Sequence, residues 1–155
     1  MLNFTLYEDG NGGQMVLQNN EILQTESLAT LAYLLMFGGN VAAKTQQDNP
    51  IGELRIDWWG NDPTENSEKW INSETEKVLK GIEISSQSLY TIQQAVINDT
   101  KSLEQYGNVT VLVSFPNLNR VSIEITIEEP SKINGNRLII VWDATRNEII
   151  RKDIL

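Results

Sequence analysis

The sequence predicts an α+β domain with an N-terminal β-hairpin, two or three helices and a C-terminal antiparallel β meander. Three observations carry that expectation. Polar and apolar residues alternate at both ends of the chain, apolar residues recur at helical spacing between them, and Gly, Asn and Pro clusters separate the segments. A length of 155 residues fits one domain, 1–155, with 1–24 as the hairpin and 131–155 as a strand extension.

The hairpin is drawn from Asn3-Phe4-Thr5-Leu6-Tyr7 and Gln14-Met15-Val16-Leu17-Gln18, which alternate around the Gly- and Asn-rich stretch Glu8 to Gly13. A helix is expected next, with Thr25 as N-cap, Glu26 in its first turn and Gly38-Gly39 as its stop. Leu28, Leu31, Ala32 and Leu35 form one apolar face, and Tyr33, Leu34, Met36 and Phe37 make the other side apolar too. Such a helix is buried all round or covered by another subunit. Residues 40–64 read as an ordered loop, because they carry Ile51, Leu54, Ile56 and the pair Trp58-Trp59. Helical signals resume from Ser67 to Lys80 and from Ser86 to Tyr106, where Leu89, Ile92, Val96 and Leu103 make an inward stripe that Gly107 ends.

Beyond Gly107 the period changes to two. Val109, Val111, Val113 and Phe115 alternate with Thr110, Leu112 and Ser114; after the turn Pro116 to Asn119, Val121, Ile123, Ile125 and Ile127 alternate with Ser122, Glu124, Thr126 and Glu128. That is the pattern of an antiparallel sheet covered on one side. Leu138 to Trp142 is apolar on both faces, as in a central or partner-covered strand, and Asp143 to Asn147 turns the chain towards Glu148-Ile149-Ile150.

Composition removes many chemistries. With 40% hydrophobic and 21% charged residues the chain can build a core. Its net charge of −9, with no Lys/Arg cluster, argues against nucleic acid or an anionic membrane as partner. The absence of His and Cys excludes Ser–His, Cys–His and zinc-type centres, so no cofactor and no metal are expected. Met1-Leu2-Asn3-Phe4 shows no secretory pattern, and Leu28 to Phe37 is far short of the ~20 residues of a membrane span, so a soluble protein is expected.

Three motifs bear on function. Asp9-Gly10-Asn11-Gly12-Gly13 starts like a calcium loop, but Gln14 and Asn20 stand where glycine and glutamate belong, so a hairpin turn is the better reading. Gly12-Gly13 and Gly38-Gly39 lack the lysine and hydroxyl residue of a phosphate loop. Asp57 and Asp62 flank Trp58-Trp59 and make a carboxylate glycosidase the alternative function, although nothing positions a matched acid and base. From the residues alone the tryptophan pair is as consistent with a core as with an interface.

At Asp57-Trp58-Trp59-Gly60-Asn61-Asp62 the sequence resembles the Mu-type phage baseplate family, whose members carry a Gly-Trp-Trp-Gly-Asp-like motif. Asp57 replaces the first glycine, and Asn61 is inserted before the acid. The flanking order agrees: Leu35-Met36-Phe37 before the motif, Ser67-Glu68-Lys69-Trp70 after it, then a long helix to Tyr106, Gly107-Asn108-Val109, and strands ending at Glu128-Glu129-Pro130. That family is similar in turn to the T-even wedge protein that initiates the contractile sheath. The relatives' Glu-Pro-Arg-like loop is replaced here by Gly38-Gly39-Asn40.

The resemblance implies a non-enzymatic subunit of a tail baseplate, residing in the virion and in the host cytoplasm during assembly. Its expected partners are sheath and other baseplate or tube proteins, with several copies in a ring. Strand-edge pairing would template the first sheath ring on the strands Val109–Phe115, Val121–Glu128 and Leu138–Trp142. The partner-facing residues so expected are Trp58, Trp59, Phe37, Val111, Val113, Ile123, Ile125, Ile140 and Trp142.

Overall fold

The structure, a computed structural model, describes residues 3–4, 6–8, 13–15, 17–22, 24–25, 27–39, 71–130 and 135–154. The α+β architecture is as expected: short N-terminal strand pairs, three helices and a four-stranded antiparallel sheet.

The N-terminal part branches where a single hairpin was expected. β2 (Leu6–Glu8) pairs with β3 (Gly13–Met15), which is the expected turn region. A second arm joins β4 (Leu17–Gln18) to β5 (Glu21–Ile22) through Asn19 and Asn20. Their φ values of 54° and 65° are the positive pair that a type I′ turn requires, which asparagine tolerates. β1 (Asn3–Phe4) and β6 (Gln24–Thr25) close the stem of both arms.

Because Thr25 is paired with Asn3 in that stem, it does not cap the first helix. α1 (Ala29–Phe37) begins instead where Ser27 Oγ accepts the Ala29 N–H at 3.2 Å. Gly38 ends it: a Cβ there would strike the Leu34 carbonyl and Ile71, and Gly39 follows at φ 102°. Ala29, Thr30, Ala32, Tyr33 and Met36 are buried, while Leu31, Leu34, Leu35 and Phe37 are half-buried against the same core. The apolar surplus of α1 is therefore covered by its own chain, with the sheet on one side and the other helices on another.

α2 (Glu74–Gly81) starts later than its sequence signals suggest. Ser73 is held extended ahead of it, its N–H bonded to the Gly39 carbonyl and its Oγ accepting the Gly38 N–H. The capping acceptor comes from another helix: Asp99 takes the Glu74 N–H at 2.9 Å and the Thr75 N–H at 2.7 Å. Burial pushes the Asp99 carboxyl above its ordinary value, while those backbone donors pull the other way. α3 (Ser86–Thr100) opens on a Ser85–Ser88 capping box and runs into a 3-10 turn, Lys101–Gln105. Ile92, Val96 and Leu103 are buried as expected, and Leu89 is half-buried.

The sheet is ordered β10-β9-β8-β7. β7 (Asn108–Asn117) and β8 (Arg120–Glu128) form a hairpin; β9 (Asn136–Asp143) and β10 (Glu148–Ile154) form another. Asp143 Oδ1 accepts the Thr145 and Arg146 N–H groups and shapes the second turn. Val121, Ile123, Ile125 and Ile127 on β8, with Leu138, Ile140 and Trp142 on β9, are buried under the helices. Each such side chain contributes about 1.5–3 kcal/mol by leaving water. The last strands are thus half of the sheet rather than an appendage to it.

Candidate functional site: the edges and faces of the sheet

A four-stranded open sheet offers two edges and one uncovered face. β8 and β9 are paired on both sides, so their backbones have no capacity left for another strand. Of the three strands expected to accept a partner, only Val109–Phe115 lies at an edge. The other edge of the described sheet is β10, which carries none of the expected partner residues.

The two edges differ in chemistry. β7 runs for 10 residues, Asn-Val-Thr-Val-Leu-Val-Ser-Phe-Pro-Asn, without one charge. β10 carries Arg151, Lys152 and Asp153 in succession and a register shift between Ile149 and Arg151. Arg151 Nε donates to Asp153 Oδ2 at 2.7 Å, and Lys152 Nζ lies 4.5 Å from the Tyr33 ring centre. Charge and bulge are the usual means of closing an edge to further strands. β7 has only Pro116 and a shift near its end, between Ser114 and Asn117.

The outward backbone groups of β7 belong to its odd residues. Gln93 Nε2 of α3 donates to the Val111 carbonyl at 3.5 Å, a long contact from outside the ladder. The two-residue turn at Leu118-Asn119 agrees: it makes Asn117 and Arg120 a hydrogen-bonded pair, and the even residues Ser122, Glu124 and Thr126 of β8 continue that alternation. The register shift between Ser114 and Asn117 sets the even β7 residues Ser114, Leu112 and Thr110 opposite them. Val109, Val111 and Val113 therefore present their N–H and C=O to the free edge. Tyr90 and Ile97, one turn to either side of Gln93 on α3, are both exposed.

The expected partner residues fall in different places. Val113, Ile123, Ile125, Ile140 and Trp142 are buried in the chain's own core, and Val111 is half-buried at its rim. Phe37 is half-buried, stacked between Tyr33 at 5.4 Å and Trp142 at 6.2 Å. Burial follows from their shared parity on the inward face, which α1 and α3 cover. Those on β8 and β9, and Phe37, form no partner surface, whereas Val111 and Val113 stand on the edge strand itself. Trp58 and Trp59, together with Asp57, Asp62 and the Ser67–Trp70 segment, lie outside the described residues.

What faces solvent is the opposite parity. Leu112 is 57% exposed and sits beside Glu124 on the uncovered face, with half-buried Ile139 in the next strand. Arg137 pairs with Glu124 at 2.8 Å, and that carboxylate raises the guanidinium further above its ordinary value. Leu112 was the legible signal, an apolar residue between Thr110 and Ser114 on an otherwise polar face. Gln93 had none.

Among the described residues, no group of three or more acidic, His or Cys side chains could hold a metal ion, and no helix is long and apolar enough to cross a membrane. No family model, curated protein or solved structure matches the chain.

Proposed function

We propose that the chain is a structural assembly subunit of the tail baseplate of a contractile phage or phage-like injection particle, one that works by main-chain strand pairing and not by turnover. The sequence resemblance around Trp58-Trp59, and the order of motifs flanking it, supply the particle. The uncharged β7 edge supplies the physical means: a partner strand laid along it gains backbone hydrogen bonds without any dedicated side-chain chemistry. This edge is the observation that carries the reading. It also narrows the earlier expectation from three strands to one.

The partners so proposed are sheath and neighbouring baseplate or tube proteins, met in the host cytoplasm and retained in the virion. The test is genetic and structural. Deleting the gene from its parent genome should leave tubes without polymerised sheath, and particles made with the natural gene should contain the chain in stoichiometric amount. Particles that assemble and contract normally without it would refute the role.

A further inference from the structure

We propose that before it meets any partner the chain closes its β7 edge with a second copy of itself, as a two-fold dimer joined through antiparallel β7 strands. Among the described residues, the outward N–H and C=O groups of β7 have no ladder partner; the one contact they make is the long 3.5 Å bond from Gln93 to the Val111 carbonyl, which an incoming strand would displace. Such an edge selects an extended polypeptide as its ligand. Side-chain parity then says which one. The inward positions Val109, Val111 and Val113 ask for β-branched apolar neighbours, and the outer position Leu112 asks for an uncharged one.

β7 itself meets those terms, most fully with the axis at its central valine. With the two-fold axis at Val111, Val111 faces its own copy and Val109 faces Val113 of the second copy, all from residues whose backbone groups point to the edge. Each of those pairs exchanges both main-chain hydrogen bonds. On the outer face Leu112 falls opposite Thr110, and Asn108 opposite Ser114. No charge meets a charge anywhere along the seam, which matters for a chain of net charge −9. The valine row of one copy continues into that of the other, so the inner faces of two sheets merge into one.

The opposite edge determines where growth stops. β10 is bulged and charged at Arg151, Lys152 and Asp153, so it does not add a further strand, and the assembly ends at two copies. Self-pairing thus protects the one aggregation-prone edge. If the baseplate role also holds, the dimer is the storage form that a partner strand must displace.

Light scattering on the purified full chain across a dilution series tests this directly. The expected mass at high concentration is twice 17.5 kDa, falling towards 17.5 kDa on dilution. Val111→Pro removes an edge-facing N–H while sparing the ladder to β8, and Thr110→Lys, opposite the uncharged Thr126 on β8, sets two like charges close to the two-fold axis. Each should raise the dimer dissociation constant by ~10-fold or more, with circular dichroism unchanged. A chain that stays monomeric at every concentration overturns the proposal. So does a dimer that survives both substitutions, since its interface then lies elsewhere. Neither result touches the baseplate role, which is read from particles.

Discussion

The two edges of this sheet belong to one antiparallel array, yet they are chemically opposite. β10 ends the sheet with three successive charges, a bulge and a lysine drawn over Tyr33. β7 ends it with ten uncharged residues and, among the described residues, a single side chain, Gln93, reaching its exposed backbone. Natural sheets blunt edges that must stay empty. A fold that blunts one edge and leaves the other bare is the contrast on which the proposed strand addition at β7 rests.

Substitutions can break or sharpen that contrast. The largest effect is expected at Ile123, fully buried on β8 between the two hairpins. Ile123→Ala should cost about 3 kcal/mol in denaturant unfolding and loosen both edges together, because they share this centre. Loss confined to one hairpin would show that the edges belong to separate units.

Gly107 comes next. A Cβ there would fall onto the Glu128 carbonyl, so Gly107→Ala must separate the start of β7 from the end of β8. A loss of about 2 kcal/mol is expected, with amide exchange rising along β7 and not along β10.

Asp99 is the control remote from both edges. Asp99→Ala removes the acceptor of the Glu74 and Thr75 N–H groups and should cost about 1 kcal/mol while leaving self-association intact. Its titration has a definite sign. Burial holds the native carboxyl above 3.8, so the folded chain takes up this proton before the unfolded chain does. The proton-linked part of Asp99's contribution is fully present below pH 3.8 and is lost as pH rises through the raised native value, while the two N–H bonds remain. Relative to Asp99→Asn, the natural chain should therefore gain stability as pH falls through that window, as urea unfolding at successive pH values would record.

The smallest effect on stability, and the sharpest on the contrast, is expected at β10. Replacing Arg151 and Asp153 together by Thr removes an exposed ion pair whose contribution is at most ~1 kcal/mol. It also strips charge from the closed edge. Species larger than a dimer should then appear in light scattering, limited by the remaining bulge and Lys152. An unchanged mass distribution would mean that the charges are not what closes β10.

The sheet was legible in the sequence because its period was clean. Alternation from Val121 to Ile127 put four side chains on one face, and all four are buried. The double-sided apolar run at Leu138 to Trp142 announced an interior strand correctly. Strand order was less accessible, since which strand lies at an edge depends on pairing partners distant in sequence. Five residues expected at a partner surface, Val113, Ile123, Ile125, Ile140 and Trp142, proved to be core for that reason. Helix starts were misplaced where tertiary groups took over a local role, Thr25 by strand pairing with Asn3 and the start of α2 by Asp99 from another helix. Charge was the missed clue to the site. The absence of any charge from Asn108 to Asn117, set against Arg151-Lys152-Asp153, can be read without coordinates once both are recognised as edges.

The central claim, that β7 is the open edge and β10 the closed one, is tested most directly by residue-resolved amide hydrogen exchange at high and low protein concentration. The amides of Val109, Val111 and Val113 are expected to become protected as concentration rises, while those of β10 do not change. Protection at β7 that is independent of concentration, or that appears along β10 instead, would contradict it.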